Sequence, residues 1–212
     1  MIIKVCGMRE LQNISHVAAT GINWMGMIFW NRSSRFVGDM AAAAAIPGGI
    51  TRVGVFVDQD ANEVSEKAIG CSLHVIQLHG GESPSYIDAL RPLLPASTKV
   101  MKAISVGCEA DIEKAASYEG TADYLLFDTK CVTVGGSGRQ FDWSVLRSYR
   151  GSLPFLLSGG IGPGDALRLA SFSHPRLMGI DLNSRFELSP GLKDCAALSV
   201  FVEELKRATR SK

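Results

Sequence analysis

The chain of 212 residues lacks an excess of charge of either sign, since 22 Lys and Arg stand against 21 Asp and Glu for a formal net charge of +1. That balance gives no electrostatic reason to expect a nucleic acid or an anionic membrane surface as partner, and neither is expected. There is no CxxC pair either. The five cysteines, Cys6, Cys71, Cys108, Cys131 and Cys195, are odd in number and scattered. A disulfide framework uses an even set in a short secreted chain, and zinc wants paired ligands, so reduced thiols in a cytoplasm are the expectation. No apolar run approaches the roughly 18–20 residues of a membrane span, and residues 24–30 are among the longest. Residues 1–7 are too short and too quickly interrupted for a signal peptide, which also points to a soluble cytoplasmic protein. With 46% apolar and 20% charged residues, the composition excludes disorder. One domain over residues 1–212 is expected.

What is present is a repeat. Eight short apolar runs begin near Ile2, Trp24, Thr51, His74, Thr98, Asp123, Leu153 and Leu177, at spacings of 22 to 30 residues. Runs rich in Val, Ile, Leu and Phe suit strands buried on both faces. The intervals carry helix signals. Residues 10–19 place Leu11, Ile14 and Ala18 on one face, with Gly21 as a stop; Ser83-Pro84 reads as an N-cap and first helical residue; Asp142 caps a helix through Arg147. Near the end, Leu198, Phe201, Val202 and Leu205 follow the amphipathic spacing. Eight strand–helix units predict an α/β fold, a single compact (β/α)8 TIM barrel. The competing doubly wound sheet usually needs fewer strands, and no GxGxxG opens the first helix.

In such a barrel the site lies at the C-terminal ends of the strands, and side chains alternate faces. If Ile3 and Val5 face the helices, Lys4 and Cys6 look inward. The same alternation turns Gln77, His79, Lys102, Leu126, Asp128, Gly179 and Asp181 into the barrel. A purely structural barrel would fill these positions with Val, Ile and Leu, because burying unpartnered polar groups costs a few kcal/mol each, and charges more. An enzyme is the better reading.

Ser158-Gly159-Gly160-Ile161-Gly162 follows the seventh strand, where glycines let backbone N–H groups approach an anion and the next helix adds its dipole. Gly159 and Gly160 are therefore candidate phosphate binders, with Asn183-Ser184-Arg185 after strand 8 supplying further donors and a positive charge. Gly135-Gly136-Ser137-Gly138-Arg139 reads as a lid or as a plain flexible connection, which the residues alone do not separate.

In order along the chain stand Lys4-Val5-Cys6-Gly7-Met8, Gly54-Val55-Phe56-Val57, Gln77-Leu78-His79-Gly80, Phe127-Asp128-Thr129 and Gly135-Gly136-Ser137-Gly138 with Phe141-Asp142-Trp143. Gly159-Gly160-Ile161 and Gly179-Ile180-Asp181 with Ser189-Pro190-Gly191 follow. This ordered set, spread over residues 4–194, resembles the phosphoribosylanthranilate isomerases. The resemblance implies an Amadori rearrangement in tryptophan biosynthesis, from N-(5-phosphoribosyl)anthranilate to 1-(2-carboxyphenylamino)-1-deoxyribulose 5-phosphate, with no metal and no organic cofactor. It also implies that Cys6 is the general base, Asp128 the general acid and Arg35 the group that meets the anthranilate carboxylate. Asp181, Gly159, Gly160, Ser184, Gly135 and Gly136 complete the candidate binding set for a small phosphorylated substrate. Relatives of this kind occur as monomers, dimers or fusions, so monomer and homodimer both stay open.

The implied chemistry sets two conditions. Asp128 must hold a proton near neutral pH, which calls for a pKa well above about 3.9. Cys6 must yield thiolate, and Lys4 on the same face is the expected cation to lower its pKa from about 8.5. Cys71, Cys108 and Cys195 read as packing residues, and His79 as a mouth residue without a role in proton transfer. The sequence departs from the family pattern twice: Asn183-Ser184-Arg185-Phe186 is bulkier than usual, and Arg32-Ser33-Ser34 lacks a proline. Two alternatives remain, a related histidine-pathway isomerase, which has an aspartate where Cys6 stands, and a catalytically silent phosphate-binding barrel.

Overall fold

The apolar runs form parallel strands because each has partners on both sides and apolar cover on both faces. In the computed structural model, residues 1–129 and 142–210 are described, with Thr129 described in its backbone only. Eight strands close into a barrel in sequence order, with β8 pairing back onto β1. They are β1 (Ile2–Val5), β2 (Trp24–Ile28), β3 (Thr51–Phe56), β4 (Val75–Leu78), β5 (Lys99–Val106), β6 (Tyr124–Thr129), β7 (Phe155–Ser158) and β8 (Leu177–Leu182). Helices α1 (Leu11–Ala18), α2 (Ala41–Ala45), α3 (Ala61–Gly70), α4 (Pro84–Leu90), α5 (Glu109–Glu113), α6 (Ala166–Ser171) and α7 (Cys195–Arg210) lie between the strands or after them. Among the described residues no helix is long and apolar enough to cross a membrane.

Local chemistry sets the helix ends. The Ser83 hydroxyl accepts from Tyr86 N–H with Pro84 in the first turn of α4, and the Asp60 carboxylate caps α3 by accepting from Asn62 N–H. Asp142 caps as expected, accepting from Ser144 N–H, but what it starts is a 3₁₀ segment, Trp143–Ser148, rather than an α-helix. Gly21, at φ +82°, turns the chain after α1. An antiparallel hairpin of β9 (Glu187–Ser189) and β10 (Leu192–Lys193) is inserted between β8 and α7.

Two apolar layers result. Inside the barrel, Trp24, Val53, Val75, Met101, Ala103, Leu126 and Leu156 plug the floor below the site. Outside, Ile3, Val5, Ile76, Leu78, Val100, Ile104 and Leu157 pack against the helices, with Leu198, Phe201, Val202 and Leu205 as the buried stripe of α7. The alternation holds for Lys4, Gln77 and Leu126 but not for Lys102. Met101 and Ala103 face inward, so Lys102 shares the outer face with Val100 and Ile104. Its ammonium is buried under the loop after β4, donating to Gly80 O at 2.6 Å and to Glu82 Oε2 at 3.0 Å. Cys108 is exposed rather than packed; Cys71 is buried and Cys195 half-buried.

Candidate active site

A cavity of about 350 Å³ opens at the C-terminal ends of the strands, within the size range of small-molecule sites. Cys6, Gln77, His79, Asp128, Ser158, Gly159, Gly160, Asp181 and Ser184 all line it. The barrel has therefore brought together residues up to 178 positions apart in the candidate set, from Cys6 to Ser184.

Cys6 sits just past the end of β1, where its N–H donates to Leu182 O at 2.8 Å and Met8 N–H donates to Gly26 O at 2.9 Å. These bonds hold the thiol between β8 and β2. Gly26 makes the room: a Cβ there would lie 2.9 Å from Cys6 Sγ and 3.2 Å from Cys6 Cα. Below the thiol, Lys4 Nζ donates to Asp181 Oδ2 at 2.8 Å, with both side chains buried. Burial opposes the charge on Lys4, but Asp181 and Cys6 more than offset it and hold the ammonium above its ordinary value. Lys4 is thus a cation beside Cys6, as expected. It does not lower the thiol's pKa below the ordinary range, because burial pushes Cys6 up by more than Lys4 and Lys193 pull it down, and Asp181 adds to the rise. The resting group is a thiol.

Asp128 enters from β6, three strands from β1 around the ring. His79 Nε2 lies 3.4 Å from Asp128 Oδ2, and Gln77 Nε2 lies 2.8 Å from His79 Nδ1. With the Gln77 amide donating to Nδ1, the ring proton sits on Nε2, the nitrogen that faces Asp128. Asp181 Oδ1 has no protein hydrogen-bond partner among the described residues and belongs to a cavity-lining side chain.

The cavity walls differ in character. Ile28, Trp30, Val55 and Val57 make one side apolar. Across the barrel stand Ser158, Gly159, Gly160, Asn183, Ser184 and Arg185. Gly159 and Gly160 adopt φ +97° and +64°, backbone conformations that L side chains rarely take, at the rim of the cavity. The dipole expected from the next helix is slight, since a 3₁₀ turn, Pro163–Asp165, precedes a six-residue α6. Gly135 and Gly136 lie outside the described residues.

Arg35, on the loop after β2, is engaged in a way its surrounding sequence does not announce. Its Nε and Nη2 donate to the Glu187 carboxylate at 2.8 and 2.6 Å, and Lys193 Nζ donates to the same carboxylate at 2.7 Å. Burial alone would raise Glu187, but these bonds, with one from Gly191 N–H, hold its carboxyl down at about 2.

A family model described as N-(5'phosphoribosyl)anthranilate (PRA) isomerase matches residues 3–204. The chain belongs to that family. An N-(5'-phosphoribosyl)anthranilate isomerase from Parabacteroides distasonis is 48% identical over 209 residues, covering 97% of this chain and 93% of its own. The phosphoribosyl anthranilate isomerase structure from Thermotoga maritima superposes with a TM-score of 0.85 at 29% identity, over 98% of this chain and 100% of that one. Another structure of such an isomerase, in complex with reduced 1-(o-carboxyphenylamino)-1-deoxyribulose 5-phosphate, gives 0.83 at 27%, over 98% and 100%.

Within this isomerase family member, reasoning from sequence missed Glu187, Lys193 and Trp30. Glu187 and Lys193 flank the Ser189-Pro190-Gly191 turn, so an acid and a base bracketing a tight turn were the available signal. Trp30, two residues past β2, had only its position at a strand end.

Proposed function

We propose that this isomerase converts N-(5-phosphoribosyl)anthranilate to 1-(2-carboxyphenylamino)-1-deoxyribulose 5-phosphate, with Asp128 as general acid and Cys6 as general base. The observation that carries this reading is the shared cavity of thiol and carboxyl, set between an apolar wall and a glycine-lined one. The apolar side suits a planar aromatic ring, with Arg35 on the adjacent loop to meet its carboxylate. The left-handed Gly159-Gly160 turn and the Ser184 segment suit the phosphate.

Once the resting Cys6 thiol has released its proton to solvent, the proton inventory closes with these two groups. Asp128, as general acid, gives a proton to the ring oxygen as the C1–O bond breaks and the nitrogen lone pair forms a C1=N iminium. Cys6 as thiolate takes the C2 proton, and those electrons form the C1=C2 enamine and neutralise the nitrogen. The thiol then returns its proton to C1 while the enol proton passes to Asp128, leaving the C2 ketone and both groups as they began. His79 supports the Asp128 carboxylate while it carries charge. Asp181 offers Oδ1 to a ribose hydroxyl, and Lys4 with Lys193 favours the thiolate when it forms. The proposed compartment is the cytoplasm, supported by free thiols at Cys6, Cys71, Cys108 and Cys195.

The test is complementation of a tryptophan auxotroph lacking this isomerisation, paired with the fluorescence decay of the anthranilate substrate in vitro. Growth together with decay that both require Cys6 and Asp128 is the expected result. Ligand binding without turnover would point instead to a silent phosphate-binding barrel.

A further inference from the structure

We propose that Glu187 is a positioning residue for Arg35, so that the β9–β10 hairpin sets the guanidinium for the substrate carboxylate. The proposal rests on the reading of Arg35 given above. A guanidinium has two edges able to bind a carboxylate in fork geometry, Nε with Nη2 and Nη1 with Nη2. Glu187 takes the first, with Nε to Oε1 at 2.8 Å and to Oε2 at 3.0 Å, and Nη2 to Oε2 at 2.6 Å. Nη1, on the second edge, has no hydrogen-bond partner among the described residues, and Ser33 of the same loop lines the cavity.

Glu187 can hold this orientation because it is itself fixed. Its side chain is 5% exposed against 22% for Arg35, so the anchor is buried and the presented cation is not. Lys193 Nζ and Gly191 N–H donate to its Oε1 at 2.7 and 3.1 Å. Lys193 is pinned in turn, with its ammonium on Asn183 Oδ1 at 2.7 Å and its backbone on the Asn13 side chain at 2.8 and 2.9 Å. A second tie joins the hairpin to the Arg35 loop, where Arg9 donates to Ser34 O at 3.1 Å and to Pro190 O at 3.3 Å. The Arg35 stem crosses Gly7, where a Cβ would come within 2.6 Å of Arg35 Cδ. The carboxylate anchor is thereby tied to the residue next to Cys6. Lys193 Nζ and Gly191 N–H both meet Oε1, so among the described residues Oε2 is held by Arg35 alone and the two side chains are fixed against each other.

The experiment compares two substrates, N-(5-phosphoribosyl)anthranilate and the aniline analogue that lacks the carboxylate, with wild type, Arg35→Ala, Glu187→Gln, Glu187→Asp and the Arg35→Ala/Glu187→Gln pair. Arg35→Ala is expected to lower kcat/KM at least about tenfold on the anthranilate substrate, mainly through KM, and little on the analogue. Glu187→Gln should show the same selective loss at about threefold or more, and the double variant should be no worse than Arg35→Ala alone. Should Glu187→Gln fail to fold, Glu187→Asp keeps the charge, shortens the reach and should lose the same selectivity in part. Equal losses on both substrates, or an unchanged or improved KM for the anthranilate substrate, would overturn the role of Glu187. No selectivity in Arg35→Ala would overturn the reading of Arg35 itself, and the proposal with it.

Discussion

Lys4 and Asp181 meet at 2.8 Å across the seam where β1 and β8 close the barrel, with both side chains shut away from solvent. A buried pair of this kind tolerates the loss of neither partner, because the survivor is left as an uncompensated charge. Lys4→Met is expected to cost about 3–5 kcal/mol, and Lys4→Met with Asp181→Asn to recover much of that. Urea midpoints of the two variants decide it; equal destabilisation by single and double changes would show that the pair is not coupled.

Cys6→Ser and Asp128→Asn should each reduce turnover by at least about a hundredfold, the scale of lost acid–base catalysis, while leaving the circular dichroism spectrum unchanged. Each leaves the cavity shape nearly intact. A rate close to wild type in either variant would remove that residue from the proposed mechanism.

Since burial holds the Cys6 thiol above its ordinary value, its alkylation in the free enzyme should be slow at pH 7 and still rising at pH 9. Exposed Cys108 is the internal reference, and should be labelled first by iodoacetamide at neutral pH. Peptide mapping against time measures both. Fast labelling of Cys6 at pH 7 would mean that thiolate is already formed in the empty site.

Gly159→Ala and Gly160→Ala each put a Cβ on a residue at positive φ, at a cost of about 1–2 kcal/mol. If this turn is the phosphate cradle, the inhibition constant of inorganic phosphate should weaken along with the KM of the substrate. Lower stability with unchanged phosphate inhibition would leave the glycines as a turn alone.

Glu187 carries a pH signature of its own. Its folded pKa of about 2 lies below the ordinary carboxylate range, so its stabilisation is complete above about pH 4.5 and is lost as the pH falls toward 2. The gap in urea midpoint between wild type and Glu187→Gln should be widest near neutral pH and narrow below pH 4.5. A gap independent of pH would mean that the ionised carboxylate is not what Arg35 and Lys193 hold.

The strands were legible because a residue buried on two faces leaves a run of apolar letters, and all eight begin within two residues of where those runs do. Inward polar groups were legible where the opposite face was plainly apolar, as with Lys4 between Ile3 and Val5. Lys102 was misread because its neighbours on both faces are apolar or small. On the outer face its ammonium is paired by Glu82, 20 positions away. The same limit hid the partner of Arg35, which lies 152 positions along the chain. The direction of the Cys6 shift could not be read from Lys4 alone, because the balance depends on how deeply the thiol is buried and on Asp181 already claiming the lysine.

The gap left by Gly26 has a bearing on how this barrel could change its chemistry. Any exchange of Cys6 for a residue of another size, such as one bearing a carboxylate, must fit the hollow that the neighbouring strand leaves by having no side chain there. The two positions therefore form a lock: position 26 limits what position 6 can become.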